Sequence, residues 1–255
     1  MTIRHVEHVM GMAVSIDTRD ASTDVAALAP ALCWLHRVDA RYSTYREDSE
    51  ITRFSRGEIG IDDLKPETQG VLLRCMELTE LTLGAFDVFA VPAPNGTTID
   101  PSGYVKGWAV ERAAGLLEDG GVRNFSINAG GDIAIRGDAS PGRPWAVGIR
   151  HPDHAQHVAL AIELHGPVAV ATSATYERGA HIIDPSTGLP TTRLASATVV
   201  GPDLGVADAF ATAVFVMGVD GLDWIETKNG YSAYIIDHDG ITSWSSRFPH
   251  PGPGG

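Results

Sequence analysis

Cysteine is scarce in this chain, basic charge is in deficit, and no apolar run is long enough to cross a bilayer. Only Cys33 and Cys75 occur in 255 residues. They lack metal-ligand spacing and give no disulfide framework. Both fall in stretches that read as helix, where buried thiols are expected. Lys and Arg number 19 against 32 Asp and Glu, a formal net charge of -13. Nucleic-acid binding needs a stripe of cations to displace counterions, so nucleic acid is excluded as the main partner. A phosphate-bearing ligand would need help, most simply from a bound divalent cation. No segment approaches the roughly 20 apolar residues of a spanning helix. The N-terminal MTIRHVEHVMGMAVSID has no apolar h-region, no small-residue cleavage site and no cysteine for lipid attachment. The expectation is a cytoplasmic protein without membrane association.

What is present suits one α+β domain: a single compact unit of mixed, mainly antiparallel sheets with packed helices, over residues 1–246. The final RFPHPGPGG, 247–255, reads as a disordered tail. Residues 3–17 read as a strand interrupted at Met10-Gly11-Met12 by a bulge or by close approach of another group. A helix follows with Val25, Leu28, Leu32 and Leu35 on one face, and Pro30 must kink it or start it afresh. Residues 39–53 read as a polar loop whose tyrosines, Tyr42 and Tyr45, either stack on a flat ligand or cap the core. Pro66 opens a second helix with Val71, Leu72, Cys75, Met76, Thr79 and Leu83 at helical spacing, ended by Gly84. A third carries Val105, Ala109, Val110, Ala113 and Leu117 up to Gly120-Gly121. At its start, Ser102, Gly103 and Lys106 either present amides and an ammonium to phosphate or form a plain cap with a solvated lysine.

From Phe125 the pattern turns to strands. Asn128-Ala-Gly-Gly-Asp132 joins two apolar runs as a hairpin turn, and the spacing of a dinucleotide fingerprint is missing. His151, His154 and His157 fall in a segment with Pro152, which favours a solvated loop over a metal cluster. Val170–Pro190, VATSATYERGAHIIDPSTGLP, runs from an apolar strand into hydroxylic Thr172-Ser173-Ala174-Thr175 and returns to an Asp-Pro-Ser-Thr-Gly turn. The nearly all-apolar helix 206–218 carries Asp208 and Thr212 one turn apart on one face. A buried carboxylate needs a partner, either a hard cation or loop amides. A last hairpin spans Tyr231–Asp237 and Ile241–Ser245.

Taken in order, Met10-Gly11, Ser43-Thr44-Tyr45, Asp48-Ser49-Glu50-Ile51, Ala85-Phe86-Asp87, Lys106-Gly107, Asn128–Asp132, Ala171-Thr-Ser173, His181–Gly188 and Ala207–Thr212 resemble the FAD:protein FMN transferases, the ApbE-type flavin transferases. The resemblance runs from about residue 6 to residue 236. It implies FAD in a cleft with its diphosphate bound through Mg2+, and transfer of the FMN half to a Thr or Ser hydroxyl of an acceptor protein with release of AMP. It implies metal ligands at Gly103 (backbone carbonyl), Asp208 and Thr212. It also implies FAD contacts at Met10, Tyr45, Ala85, Phe86, Asp87, Lys106, Thr172 and Ser173. His181 matches a histidine associated with catalysis, as base toward the acceptor hydroxyl or as a phosphate ligand. The stretch Asp87–Asp100 is short for the family, which removes part of the usual cleft wall. Two other outcomes use the same residues: hydrolysis of FAD to FMN and AMP, or FAD carriage without turnover.

Overall fold

The computed structural model describes residues 2–21, 23–89, 98–154, 156–175 and 182–249. β1 (Ile3–Val9) pairs antiparallel with β2 (Met12–Thr18), in which Met12, Val14 and Ile16 fall at alternate positions, and Val9 lies opposite Met12. Met10 and Gly11 are therefore a two-residue turn, both with positive φ (55° and 71°). This corrects the expected bulge: left-handed backbone at both positions reverses the chain, and Val9, Val14 and Ile16 turn into the core.

The same pairing builds β3 (Phe125–Ala129) and β4 (Asp132–Arg136) across Gly130 and Gly131. The remaining strands are β5 (Trp145–Arg150), β6 (Val158–Leu164), β7 (Val168–Ala174), β8 (Ile183–Asp184), β9 (Leu189–Pro190), β10 (Ser196–Gly201), β11 (Ser232–Ile236) and β12 (Thr242–Trp244). Eight of them form one sheet in the order β1-β2-β3-β4-β7-β10-β11-β12, and its pairings are all antiparallel. Six helices accompany it among the described residues: α1 (Ala29–Tyr42), α2 (Glu50–Ser55), α3 (Pro66–Leu81), α4 (Ser102–Asp119), α5 (Leu204–Met217) and α6 (Asp220–Glu226).

Period-two burial gives the sheet two apolar faces. Ile16, Ile127, Ala171, Val199 and Ile235 pack with α1, α4 and α5 in the main core. Ile135, Val170, Val200, Tyr234 and Ile236 face the other way, onto Trp145, Val147 and Ile162 of the β5–β6 ribbon. Phe248 belongs to this second core and stacks on Tyr234, so packing continues past the boundary drawn at residue 246. The Tyr234 ring supplies an apolar seat that the Pro- and Gly-rich composition of the tail does not reveal.

Other local expectations divide. Pro30 starts α1 afresh after the short 3-10 turn Val25–Leu28. Tyr42 is the buried last residue of α1, and Thr68 Oγ1 donates to its hydroxyl at 3.3 Å. Ser49 caps α2 by accepting from Thr52 N at 3.1 Å, so the expected 39–53 loop shrinks to the stretch around Tyr45. On α3, Val71, Leu72, Cys75 and Leu78 point inward, whereas Met76 is exposed and Leu83 lies beyond the helix in solvent. Cys33 is exposed on α1, which corrects the expectation of two buried thiols. His151, His154 and His157 close the β5–β6 connection, with His157 N donating to His154 O. Among the described residues no group of three or more His, Cys, Asp and Glu side chains could hold a metal ion, and no helix is long and apolar enough to cross a membrane.

Helix α5 is buried at twelve of its fourteen positions, as its all-round apolar sequence requires. It lies against α4 at unusually small residues. A Cβ on Gly107 would meet Leu204 O at 2.4 Å, and one on Gly205 would meet Tyr104 Cε2 at 2.9 Å. Gly107→Ala is therefore expected to lower the unfolding free energy by about 2 kcal/mol through overpacking. Gly115→Ala on the same helix, where a Cβ meets nothing within 4 Å, should raise it by about 0.5–1 kcal/mol. Urea unfolding of the two variants checks the contrast.

A thiol titration tests the cysteine assignment. Burial pushes the Cys75 thiol up to about 12, so native protein should react with a thiol reagent at Cys33 alone and show the second equivalent only after denaturation.

Candidate functional site

A cavity of about 550 Å³ opens between the Met10-Gly11 turn, the Ser43–Tyr45 segment after α1, Ala85–Asp87, the N-terminus of α4, the end of β7 and one face of α5. It gathers eleven of the sequence-derived site residues: Met10, Tyr45, Ala85, Phe86, Asp87, Gly103, Lys106, Thr172, Ser173, Asp208 and Thr212. His181 lies outside the described residues, as does most of the shortened 87–100 stretch, while Ile182, Ile183 and Pro185 reach the wall.

Each position has a local cause. Phe86 is held where α3 ends, its N–H donating to the buried Thr82 Oγ1 at 3.1 Å. Asp87 Oδ1 accepts from Phe89 N at 2.8 Å in a turn. Tyr45 lines the cavity while remaining 63% exposed, which places its ring at the mouth. Asp184 holds the expected Asp-Pro-Ser-Thr-Gly turn: Oδ1 accepts from Ser186 Oγ at 2.6 Å and Ser186 N at 2.9 Å. The Ser186 hydroxyl bond comes first among the causes that keep this carboxyl below its usual range.

The centre of the site is a charge cluster between α4, β4 and α5. Lys106 Nζ lies 2.9 Å from Asp132 Oδ2 and 3.9 Å from Asp208 Oδ1. The first is an ion pair by distance without hydrogen-bond alignment. This rules against the solvated-lysine reading, since the Lys106 side chain is only 18% exposed. Asp208 Oδ2 accepts from Gly107 N at 3.1 Å, a bond that requires the close α4–α5 approach. One turn along α5, Thr212 Oγ1 lies 3.2 Å from Ser173 Oγ. A Cβ on Gly103 would sit 3.5 Å from Thr212 Oγ1 and 3.2 Å from Phe86 Cε2, so the α4 backbone and the α5 hydroxyl meet closely.

Asp132 is the residue that sequence reasoning passed over. Its side chain is fully buried, and Oδ1 accepts from Thr172 N at 3.2 Å, tying the strand end to the lysine. Asn128 and the glycines account for the turn itself, Asn128 Oδ1 accepting from Gly131 N at 3.0 Å. The available signal was an acid opening a strand whose next three residues, Ile133, Ala134 and Ile135, are apolar.

The donor set suits a hard cation. Asp208 carboxylate and Thr212 hydroxyl, with the Gly103 backbone beside them, are oxygen donors of the kind Mg2+ takes. The charged lining points the same way: Asp39, Asp87, Asp100 and Asp208 face the cavity with Lys106 as its single cationic side chain among the described residues. A phosphate-bearing ligand would meet net repulsion there unless a cation entered with it.

Asp132→Ala would remove the nearer of the two carboxylates beside the Lys106 ammonium and leave it Asp208 Oδ1 at 3.9 Å. The variant should lose about 1–3 kcal/mol of unfolding free energy, and adding Lys106→Met should recover part of that loss because the unbalanced charge is gone. Urea unfolding of the single and double variants measures both.

Comparison with known proteins bears on the whole chain. The model of the ApbE family matches residues 10–95 and 90–235. The FAD:protein FMN transferase of Vibrio cholerae is 29% identical over 255 residues, covering 79% of this chain and 75% of that protein. The enzyme of the same description from Haemophilus influenzae is 27% identical, over 97% and 88%. The solved flavin transferase ApbE of Vibrio cholerae shares the fold with a TM-score of 0.84 at 27% identity, across 97% of this chain and 98% of that one. The antiparallel sheet, the cavity between α4 and α5 and the extent of these matches agree: the chain belongs to the ApbE family.

Proposed function

We propose that the protein is an Mg2+-dependent transferase that moves FMN from FAD to a Thr or Ser hydroxyl of an acceptor protein and releases AMP. The observation that carries the reading is the single cavity holding Lys106, Asp208, Thr212 and Gly103 together, in a chain whose relatives are FAD:protein FMN transferases. A cytoplasmic location is part of the same proposal.

In this reading the acceptor oxygen bonds to the phosphorus of the FMN half. The bond from that phosphorus to the bridging oxygen breaks, AMP leaves with that oxygen, and the hydroxyl proton is lost. Such transfer depends mainly on positioning and on neutralising charge. Mg2+, held by Asp208, Thr212 and the Gly103 carbonyl, supplies charge neutralisation on the diphosphate when bound. Lys106 is the chain's own cation for the phosphates, and Asp132 fixes where its ammonium stands. Tyr45 at the mouth and Phe86 in the wall offer aromatic faces for a flavin ring. Met10, Ala85, Asp87, Thr172 and Ser173 complete the FAD contacts, and His181 is assigned the acceptor proton or a phosphate contact.

The test is incubation with FAD, Mg2+ and a cell extract, followed by mass spectrometry for an FMN adduct on Thr or Ser. AMP release without an adduct would assign hydrolysis, and FAD left intact would assign a carrier. Asp208→Asn keeps an acceptor for Gly107 N but removes the charge. It should stay folded by circular dichroism and lose at least about a hundredfold in Mg2+-dependent transfer. Full turnover by that variant would sink the metal assignment.

A further inference from the structure

We infer that Leu83 is a recognition residue for the acceptor polypeptide, contacting an apolar side chain close to the hydroxyl that receives FMN. The inference rests on the transferase reading above.

Among the described residues only two non-glycine positions have left-handed backbone, Met10 (φ 55°) and Leu83 (φ 56°). Met10 lines the cavity, and Leu83 comes two residues before the lining residue Ala85. After α3 the chain closes with Leu83 N donating to Glu80 O at 3.1 Å and Gly84 N to Thr79 O at 2.9 Å. This double closure places Leu83 where helices normally carry glycine or asparagine, because a Cβ is strained in that conformation. A leucine here should earn its place by burial, yet Leu83 is 82% exposed, the most exposed of the large apolar residues described. The strain is thus uncompensated within the folded chain, a pattern associated with functional surfaces.

Its location identifies what would cover it. Leu83 precedes Ala85 by two residues, so their Cα atoms lie within about 7.6 Å of each other at trans-peptide spacing. Ala85 and Phe86 are cavity wall, and the buried Thr82 ties both to the end of α3: its carbonyl accepts from Ala85 N at 3.1 Å and its Oγ1 from Phe86 N at 3.1 Å. Leu83 is therefore within two residues of the cavity wall, between the anchored Thr82 and Ala85, without being part of its lining. A small molecule inside the cavity leaves it in water. A protein substrate that brings a hydroxyl to the mouth reaches it, and an apolar neighbour of that hydroxyl would remove the leucine from solvent. The exposed ring of Tyr45, which does line the cavity, adds a second apolar surface at the mouth.

Three proteins test this: wild type, Leu83→Asn, which suits the left-handed backbone but is polar, and Leu83→Met, which keeps the apolar surface. With an acceptor identified by its FMN adduct, Leu83→Asn should raise the acceptor KM about tenfold at unchanged kcat, the expected effect of losing one buried apolar contact. Leu83→Met should restore most of the loss. FAD affinity, followed by flavin fluorescence, should stay within about twofold in all three. The Tm of Leu83→Asn should stay level or rise by about 2–4 °C as backbone strain is relieved. An unchanged acceptor KM overturns the proposal, and so does a Tm lowered by more than about 4 °C, which would make Leu83 structural. Wild-type protein that forms no adduct on any protein refutes the transferase reading itself, a result distinct from adduct formation indifferent to Leu83.

Discussion

The contact on which the site depends is the approach of α4 to α5 at Gly107. Without a side chain there, the Leu204 carbonyl reaches the α4 backbone and Asp208 Oδ2 accepts from the Gly107 amide. That bond gives a carboxylate inside an apolar helix its first partner and sets the helix in register with the α4 N-terminus. Thr212 then falls beside Gly103 because it lies one turn along the same face. A larger residue at 107 would move the two helices apart and separate the oxygen donors. The small-residue interface is thus a packing feature whose consequence is chemical.

Charge follows from the same geometry. In a strongly acidic chain, the cavity places one lysine between Asp132 and Asp208 and adds three further aspartates to its wall. Two carboxylates sharing one ammonium leave a net negative centre, so the described residues of the site carry no surplus positive charge for a diphosphate. An incoming cation reverses that balance. The antiparallel sheet makes the arrangement rigid, because β4 and β7 are adjacent strands and Asp132 Oδ1 bonds to the Thr172 amide across them.

Much of this was legible in the residues. The apolar spacing of α3, α4 and α5, the Gly-Gly stops and the Asp208–Thr212 pair describe helices and a polar stripe whatever the surroundings. The Asp-Pro-Ser-Thr-Gly turn is likewise local, since Asp184 satisfies its own neighbours. Met10-Gly11 was less legible: methionine is not a residue that announces left-handed backbone, so a hairpin turn looked like a bulge. Cys33 and Leu83 misled for a different reason. Helical spacing places a residue on a face or near an end, but which face meets the sheet, and where the helix stops, depends on partners distant in sequence.

What the sequence determined by itself, then, was the inventory: the elements, the carboxylate and hydroxyl on one helix face, the hydroxylic strand end and the net negative charge. These arise from interactions within a few residues, where spacing and side-chain chemistry are sufficient. Only the tertiary structure decided that Lys106 pairs with the buried Asp132, that Gly107 admits Leu204, that Phe248 seats on Tyr234, and that Leu83 is left in solvent two residues before the cavity wall. Each of these depends on chain segments brought together by packing, and the free energy of such a contact is set by burial and distance, neither of which exists until the helices and the sheet have closed on one another.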